Sequence, residues 1–142
     1  SVTCSNNTTP ITDDNFRAAI ATCLDASPVD GMCSASEYGA MPGWNVSLVT
    51  NMSGAFFFSS TFNADISGWN TSSVTTMAAM FAFNSAFDQP LAAWSSRVGS
   101  VTDMGYMFYA SAFVQDITGW STPTLLTAAC TDSITENCND SR

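Results

Sequence analysis

The feature that most constrains this chain is a recurrence of tryptophan. Trp44, Trp69, Trp94 and Trp120 stand 25, 25 and 26 residues apart. Other columns travel with them: Val49, Val74 and Val101; Met52, Met77 and Met104; Phe56, Phe81 and Phe108; Phe62, Phe87 and Phe113; Ile66, Leu91 and Ile117. The third unit takes two extra residues near positions 97–100 and has one fewer before Phe113. A segment this short cannot bury its own apolar side chains, so the units must stack and share one core. The pattern therefore predicts an α/β repeat solenoid of about three 25-residue coils. On that reading the aromatic and Met columns are shared core and not a ligand box.

Within a coil, residues 62–67 read as a short strand, paired in parallel with residues 87–92 and 113–118. Pro90 lacks an N–H, so the middle strand is expected to lose a ladder bond there. Residues 74–77 read as a second short strand or an extended turn, and residues 77–84 as one or two helical turns. Gly68 and Gly119 supply tight turns before Trp69 and Trp120. Each Trp is expected at a corner, its indole N–H on a loop carbonyl and its ring against the next unit.

The flanks divide the chain further. Residues 1–10 read as an extended arm and residues 11–43 as an N-terminal cap, ahead of the repeats at 44–126 and a C-terminal cap and tail at 127–142. A helix is predicted over 11–24, with Thr12 as N-cap, Asp13 and Asp14 at the positive end of its dipole, and an Ile11–Phe16 staple. Pro28 stops it.

Composition removes several function classes. Three basic residues (Arg17, Arg97 and Arg142) stand against twelve acidic ones, a net charge of −9. That excludes the clustered Lys and Arg that nucleic acid requires and disfavours anionic membranes. There is no His and no Lys. Ser-His and Cys-His pairs, His-based zinc sites and Schiff-base lysines are therefore unavailable. No apolar run approaches the ~20 residues of a membrane span. No catalytic residue, metal site or cofactor is predicted.

Two features suggest export. Five cysteines sit toward the ends. Cys23 with Cys33 and Cys130 with Cys138 are candidate local disulfides, which leaves Cys4 as an unpaired or intermolecular thiol, although Cys4 paired to Cys23 or Cys33 stays an alternative. N-x-[ST] sequons occur at Asn6, Asn7, Asn45, Asn51, Asn70 and Asn139, candidates for covalent glycans. Ser1 is not an initiator Met, as expected of a mature chain whose signal has been removed.

The run Phe62-Asn63-x-Asp65-Ile66-Ser67-Gly68-Trp69-Asn70-Thr71-Ser72-Ser73-Val74-Thr75-x-Met77-x-x-Met80-Phe81 resembles the repeats of BspA-like leucine-rich-repeat surface proteins of the DUF285 type. The resemblance covers residues 44–126, or 11–126 with the capping segment around residues 38–44. It implies a leucine-rich-repeat-like solenoid, a cell-surface or extracellular location, and roles in adhesion or surface assembly. It carries no catalytic motif, and family members often have many more units.

Three surface features remain. The cluster Phe56, Phe57 and Phe58 cannot point wholly inward, so part of it is a candidate contact surface. Asp65, Asp88 and Asp116 could ligate Ca²⁺ but read better as turn caps. Thr50, Thr75 and Thr102 form an outward ladder, too short for an ice-binding array. The expected function is an extracellular, non-enzymatic glycoprotein that self-associates into an oligomer or filament. The alternative is an adhesion module for glycans or a host protein.

Overall fold

A computed structural model describes residues 9–120. One α-helix, α1 (Phe16–Ala26), precedes two short 3₁₀ turns at Met41–Gly43 and Ala92–Ser96. Extended pairing among the described residues is confined to three isolated parallel bridges, Thr12 to Leu48, Asn51 to Thr76 and Thr76 to Asp103. The predicted α/β solenoid of parallel strands is therefore wrong, because no strand or sheet forms at residues 62–67, 87–92 or 113–118. The helical turns expected at residues 77–84 are absent as well.

Tight turns take their place. In the first unit Ala55 N–H donates to Met52 O, Phe57 N–H to Gly54 O and Ser59 N–H to Phe56 O, so every second N–H closes a turn. The intervening ones cross to the next unit: Met52, Gly54, Phe56 and Phe58 donate to the carbonyls of Thr76, Ala78, Met80 and Ala82. The second unit repeats this against the third, with Met77, Ala79, Phe81 and Phe83 donating to Asp103, Gly105, Met107 and Tyr109. The backbone groups are thus satisfied by alternation between a turn and a rung, without a pleated strand.

The turns need left-handed residues. Gly54, Ala79 and Tyr106, and then Phe58, Phe83 and Ala110, all take φ between 52° and 61°. Each is the third residue of an i to i+3 turn, where a type II geometry demands positive φ. That conformation curls the chain out of the extended region and prevents a continuous strand.

Ala79 provides a direct check. At φ 55° alanine carries a left-handed penalty of about 1–2 kcal/mol, against about 0.5–1 kcal/mol of extra chain entropy for glycine. Ala79→Gly should therefore stabilise the protein by about 0.5–1 kcal/mol in urea denaturation. Ala78→Gly, at ordinary φ, should lose stability instead.

Residues 62–66 and their counterparts are joined by side chains where a ladder was expected. Asp88 N–H donates to Asn63 Oδ1 and Val114 N–H to Asp88 Oδ1, while Gln89 and Gln115 donate from Nε2 to the carbonyls of Asn63 and Asp88. Amide and carboxylate groups thus occupy the places that backbone partners hold in a sheet.

The core lies between the turn ribbon and this side-chain ladder. Phe56, Phe81 and Phe108 stack at centroid separations of 5.7 Å, and Phe62, Phe87 and Phe113 form a second column at 5.8 and 6.1 Å. The two columns touch within each unit at 3.9 to 4.1 Å. The indole N–H groups of Trp69, Trp94 and Trp120 donate to the carbonyls of Met41, Ile66 and Leu91, each in the preceding turn of chain. This matches the corner role read from the sequence.

The cap differs in detail from its prediction. Helix α1 starts at Phe16 after Asn15, not at Thr12, and no side chain caps it. Thr12 instead bridges to Leu48. Asp13 turns away from the helix and accepts the N–H groups of Thr50 and Asn51 through Oδ1, at 2.8 and 3.1 Å, and the Thr50 hydroxyl through Oδ2. Its carboxylate thereby stands in for a preceding rung. A disulfide joins Cys23 on α1 to Cys33 in the following loop.

Candidate contact surface

The turn ribbon has an outer face, and aromatic rings cover it. Phe57, Phe58, Phe83 and Tyr106 are exposed, with Tyr109 half-buried among them. Phe58 stacks on Phe83 at 4.6 Å. Phe57 stands perpendicular to both, Tyr109 perpendicular to Phe83 at 5.1 Å, and Tyr106 perpendicular to Tyr109 at 5.8 Å. The result is one ridge across all three units.

Three ridge residues, Phe58, Phe83 and Tyr106, occupy left-handed positions. Bulky side chains are uncommon there, and Gly54, which stands in the first unit where Tyr106 stands in the third, shows what the backbone prefers. Holding exposed rings on strained backbone costs about 1–3 kcal/mol per residue. Contacts among the rings offset part of that cost.

Of the predicted cluster, Phe56 is fully buried in the core stack, while Phe57 and Phe58 are on the ridge. Phe83, Tyr106 and Tyr109 were not singled out from the sequence. A signal for them existed in the columns. Core columns keep their residue class from unit to unit, whereas the outer columns vary: Phe57, Ala82, Tyr109; Phe58, Phe83, Ala110; Gly54, Ala79, Tyr106. A large ring in a column that elsewhere holds Ala or Gly is not needed by the core.

The other candidates have local duties. The Thr75 and Thr102 hydroxyls donate to the carbonyls of Thr50 and Thr75, one unit back, so the Thr ladder is spent on joining units. Asp65 and Asp116 each accept the N–H and hydroxyl two residues on, from Ser67 and Thr118. These bonds to the charged form hold both carboxyls below the usual carboxylate range. No cluster of metal-ligating side chains occurs among the described residues.

Sequon residues Asn45 and Asn70 are exposed and make the same turn with Ser47 and Ser72. Asn51 is exposed and accepts from Ser53 N–H and the Arg17 guanidinium. Asn6, Asn7, Asn139, Cys4, Cys130 and Cys138 lie outside the described residues, as do most of the arm and the C-terminal cap.

Asp13 has a pH consequence. The Thr50 hydroxyl, aided by the N–H groups of Thr50 and Asn51 and by Arg17, lowers its carboxyl from the ordinary value of 3.8 against a desolvation penalty. With Asp65 and Asp116 lowered too, the unfolded chain binds more protons than the folded one in this range. Their stabilisation is complete above about pH 4 and is lost as pH falls through the lower folded values. Urea midpoints measured between pH 6 and pH 2.5 should fall most steeply below about pH 4, and Asp13→Ala should show a shallower fall.

The molecule is thus a repeat protein built on stacked turns, with an exposed aromatic ridge and a polar, nearly cation-free surface. The chain belongs to the family described as "Mycoplasma protein of unknown function, DUF285", which matches residues 28–140. No curated protein and no solved structure matches it. No helix among the described residues is long and apolar enough to cross a membrane.

Proposed function

We propose that this chain is a non-enzymatic contact module of an exported, BspA-like surface protein, and that the ridge of Phe57, Phe58, Phe83, Tyr106 and Tyr109 is its working surface. The observation that carries this reading is the placement of exposed rings at left-handed positions, where backbone strain offsets what their contacts add to the fold. An apolar patch of this size on a monomer is often functional. The Cys23–Cys33 disulfide supports an oxidising, extracellular setting. The exposed sequons at Asn45, Asn51 and Asn70 accord with it.

The test compares the wild-type chain with a triple variant, Phe58→Gly, Phe83→Gly and Tyr106→Gly. Retention on washed surface material of the source cells is measured by sedimentation, with folding checked by circular dichroism. The variant should stay folded and lose at least about tenfold in retention, since each ring contributes about 0.5–1.5 kcal/mol of specific contact. Equal retention would remove the ridge from the account.

A second reading, end-to-end self-association into a filament, has one observation in its favour. The N–H groups of Tyr106, Phe108 and Ala110 have no acceptor among the described residues, whereas their counterparts in the first two units cross to a further unit. Backbone donors at the end of a stack can template addition of another chain. A single monomeric species in sedimentation velocity at rising concentration would exclude it.

A further inference from the structure

The ridge has a chemistry that narrows what it can hold. Resting on the contact-surface reading above, we infer that its ligand is a neutral polysaccharide, laid along the stack with its sugar rings against Phe57, Phe58, Phe83, Tyr106 and Tyr109.

Size is the first argument. Phe57, Phe58, Phe83 and Tyr106 are 46%, 61%, 37% and 51% exposed, which at about 200 Å² per aromatic side chain amounts to roughly 400 Å². A stable protein interface needs about 800 Å² from each partner. The ridge alone supplies about half of that, whereas a narrow chain that runs along it can cover it whole.

Charge is the second argument. The ridge consists of Phe and Tyr side chains alone, and the whole chain carries −9. Anionic polymers are repelled, and a second copy brings another −9. A neutral ligand meets no such cost.

The rim supplies the third argument. Where the first two units leave the ridge they pass into hydroxyl residues, with Ser60, Thr61 and Ser85 exposed. Ser85 donates to Ser60 O, which leaves its oxygen lone pairs for a ligand hydroxyl. The Tyr106 and Tyr109 hydroxyls offer further donors and acceptors. Rings whose electron-rich faces suit polarised C–H groups, bordered by uncharged hydroxyls, complement the two faces of a sugar, one apolar and one hydroxylated.

Repetition also favours a polymer. Successive units are spaced by about the 5.7 Å of the Phe56, Phe81 and Phe108 stack. A polymer running parallel to that axis meets at least one ridge ring in every unit, so weak contacts add along one chain.

The test is co-sedimentation of the full chain with insoluble neutral polysaccharides (cellulose, chitin and a mixed β-glucan). A charged pectate, beads carrying an arginine-rich peptide and beads carrying a proline-rich peptide serve as comparison baits. Wild type should be retained on at least one neutral polysaccharide and not on pectate. Phe57→Ser alone should weaken that retention about tenfold, and the triple glycine variant about a hundredfold or more. Phe57 has ordinary φ, so its substitution keeps the test valid should the triple variant unfold. Retention only on a peptide bait, lost in the same variants, overturns the polysaccharide and leaves the ridge as a contact surface. A ridge-dependent dimer in sedimentation equilibrium, without polysaccharide retention, does the same. Identical behaviour of wild type and variants on every bait overturns both.

Discussion

Replacing Trp69 by alanine should cost about 3–5 kcal/mol. Trp69 is fully buried where cap and repeats meet. Its ring stacks on Trp44 at 6.1 Å, takes the edge of Phe16 at 6.0 Å and lies against Phe56. Its indole N–H holds Met41 O at 2.9 Å, and its own carbonyl accepts from the Arg97 guanidinium. Removing the ring opens a cavity that touches helix α1, the first unit and the second at once. In a stack where each unit meets only its neighbours, a defect at this junction uncouples both sides. Domains of this size hold about 5–15 kcal/mol in total, so Trp69→Ala should be largely unfolded at moderate urea where wild type is intact. Trp69→Phe keeps most of the ring and gives up mainly the hydrogen bond, with an expected loss nearer 1–2 kcal/mol. A Trp69→Ala loss below 1 kcal/mol in urea denaturation would show that the cap does not depend on this junction.

Gly31→Ala is the second large effect, and it arises from two causes at one atom. Gly31 has φ 65°, and a Cβ there would lie 2.9 Å from Met41 Cβ and 3.3 Å from Met41 Sδ. The backbone has little room to yield. Gly31 N–H donates to Ser27 O, Met41 N–H donates to Gly31 O, and Cys33, two residues on, is tied to Cys23. Left-handed strain of about 1–2 kcal/mol and overpacking of about 1–3 kcal/mol together predict a loss of about 2–5 kcal/mol. Gly54→Ala separates the two causes. Its φ is 61°, but the nearest atom to the added Cβ is 3.8 Å away. Only the strain should appear there, about 1 kcal/mol after the entropy gained by losing glycine. Equal losses at the two glycines in matched urea titrations would mean that Met41 moves aside.

These effects show which parts of the fold the residues announce. The period, the core columns, the Trp corners and the Cys23–Cys33 disulfide are all legible, because each rests on a side chain that recurs or can be counted. The backbone geometry is not. A type II turn usually declares itself by Gly or Asn at its third residue. Here only Gly54 does so, while Phe58, Ala79, Phe83, Tyr106 and Ala110 take the same φ without the signal. Stretches such as 77–84 therefore read as helical from their apolar spacing, although that spacing belongs to successive turns.

The strand at 62–67 failed for a related reason. Asn63, Asp88, Gln89 and Gln115 lie within the predicted strands, yet their side chains make the rungs themselves. The candidate surface was half visible. Three consecutive phenylalanines cannot all be buried, and Phe57 and Phe58 follow from that. Phe83, Tyr106 and Tyr109 join them only once the units are stacked, since ring contacts between units follow from the rung register.

Whether the ridge serves contact and not the fold is tested most directly by the urea midpoint of the Phe58→Gly, Phe83→Gly, Tyr106→Gly variant. Relief of three left-handed positions should offset the lost ring contacts, so stability should remain within about 1 kcal/mol of wild type. A loss of several kcal/mol, comparable to that of Trp69→Ala, would place these rings in the core and contradict the account.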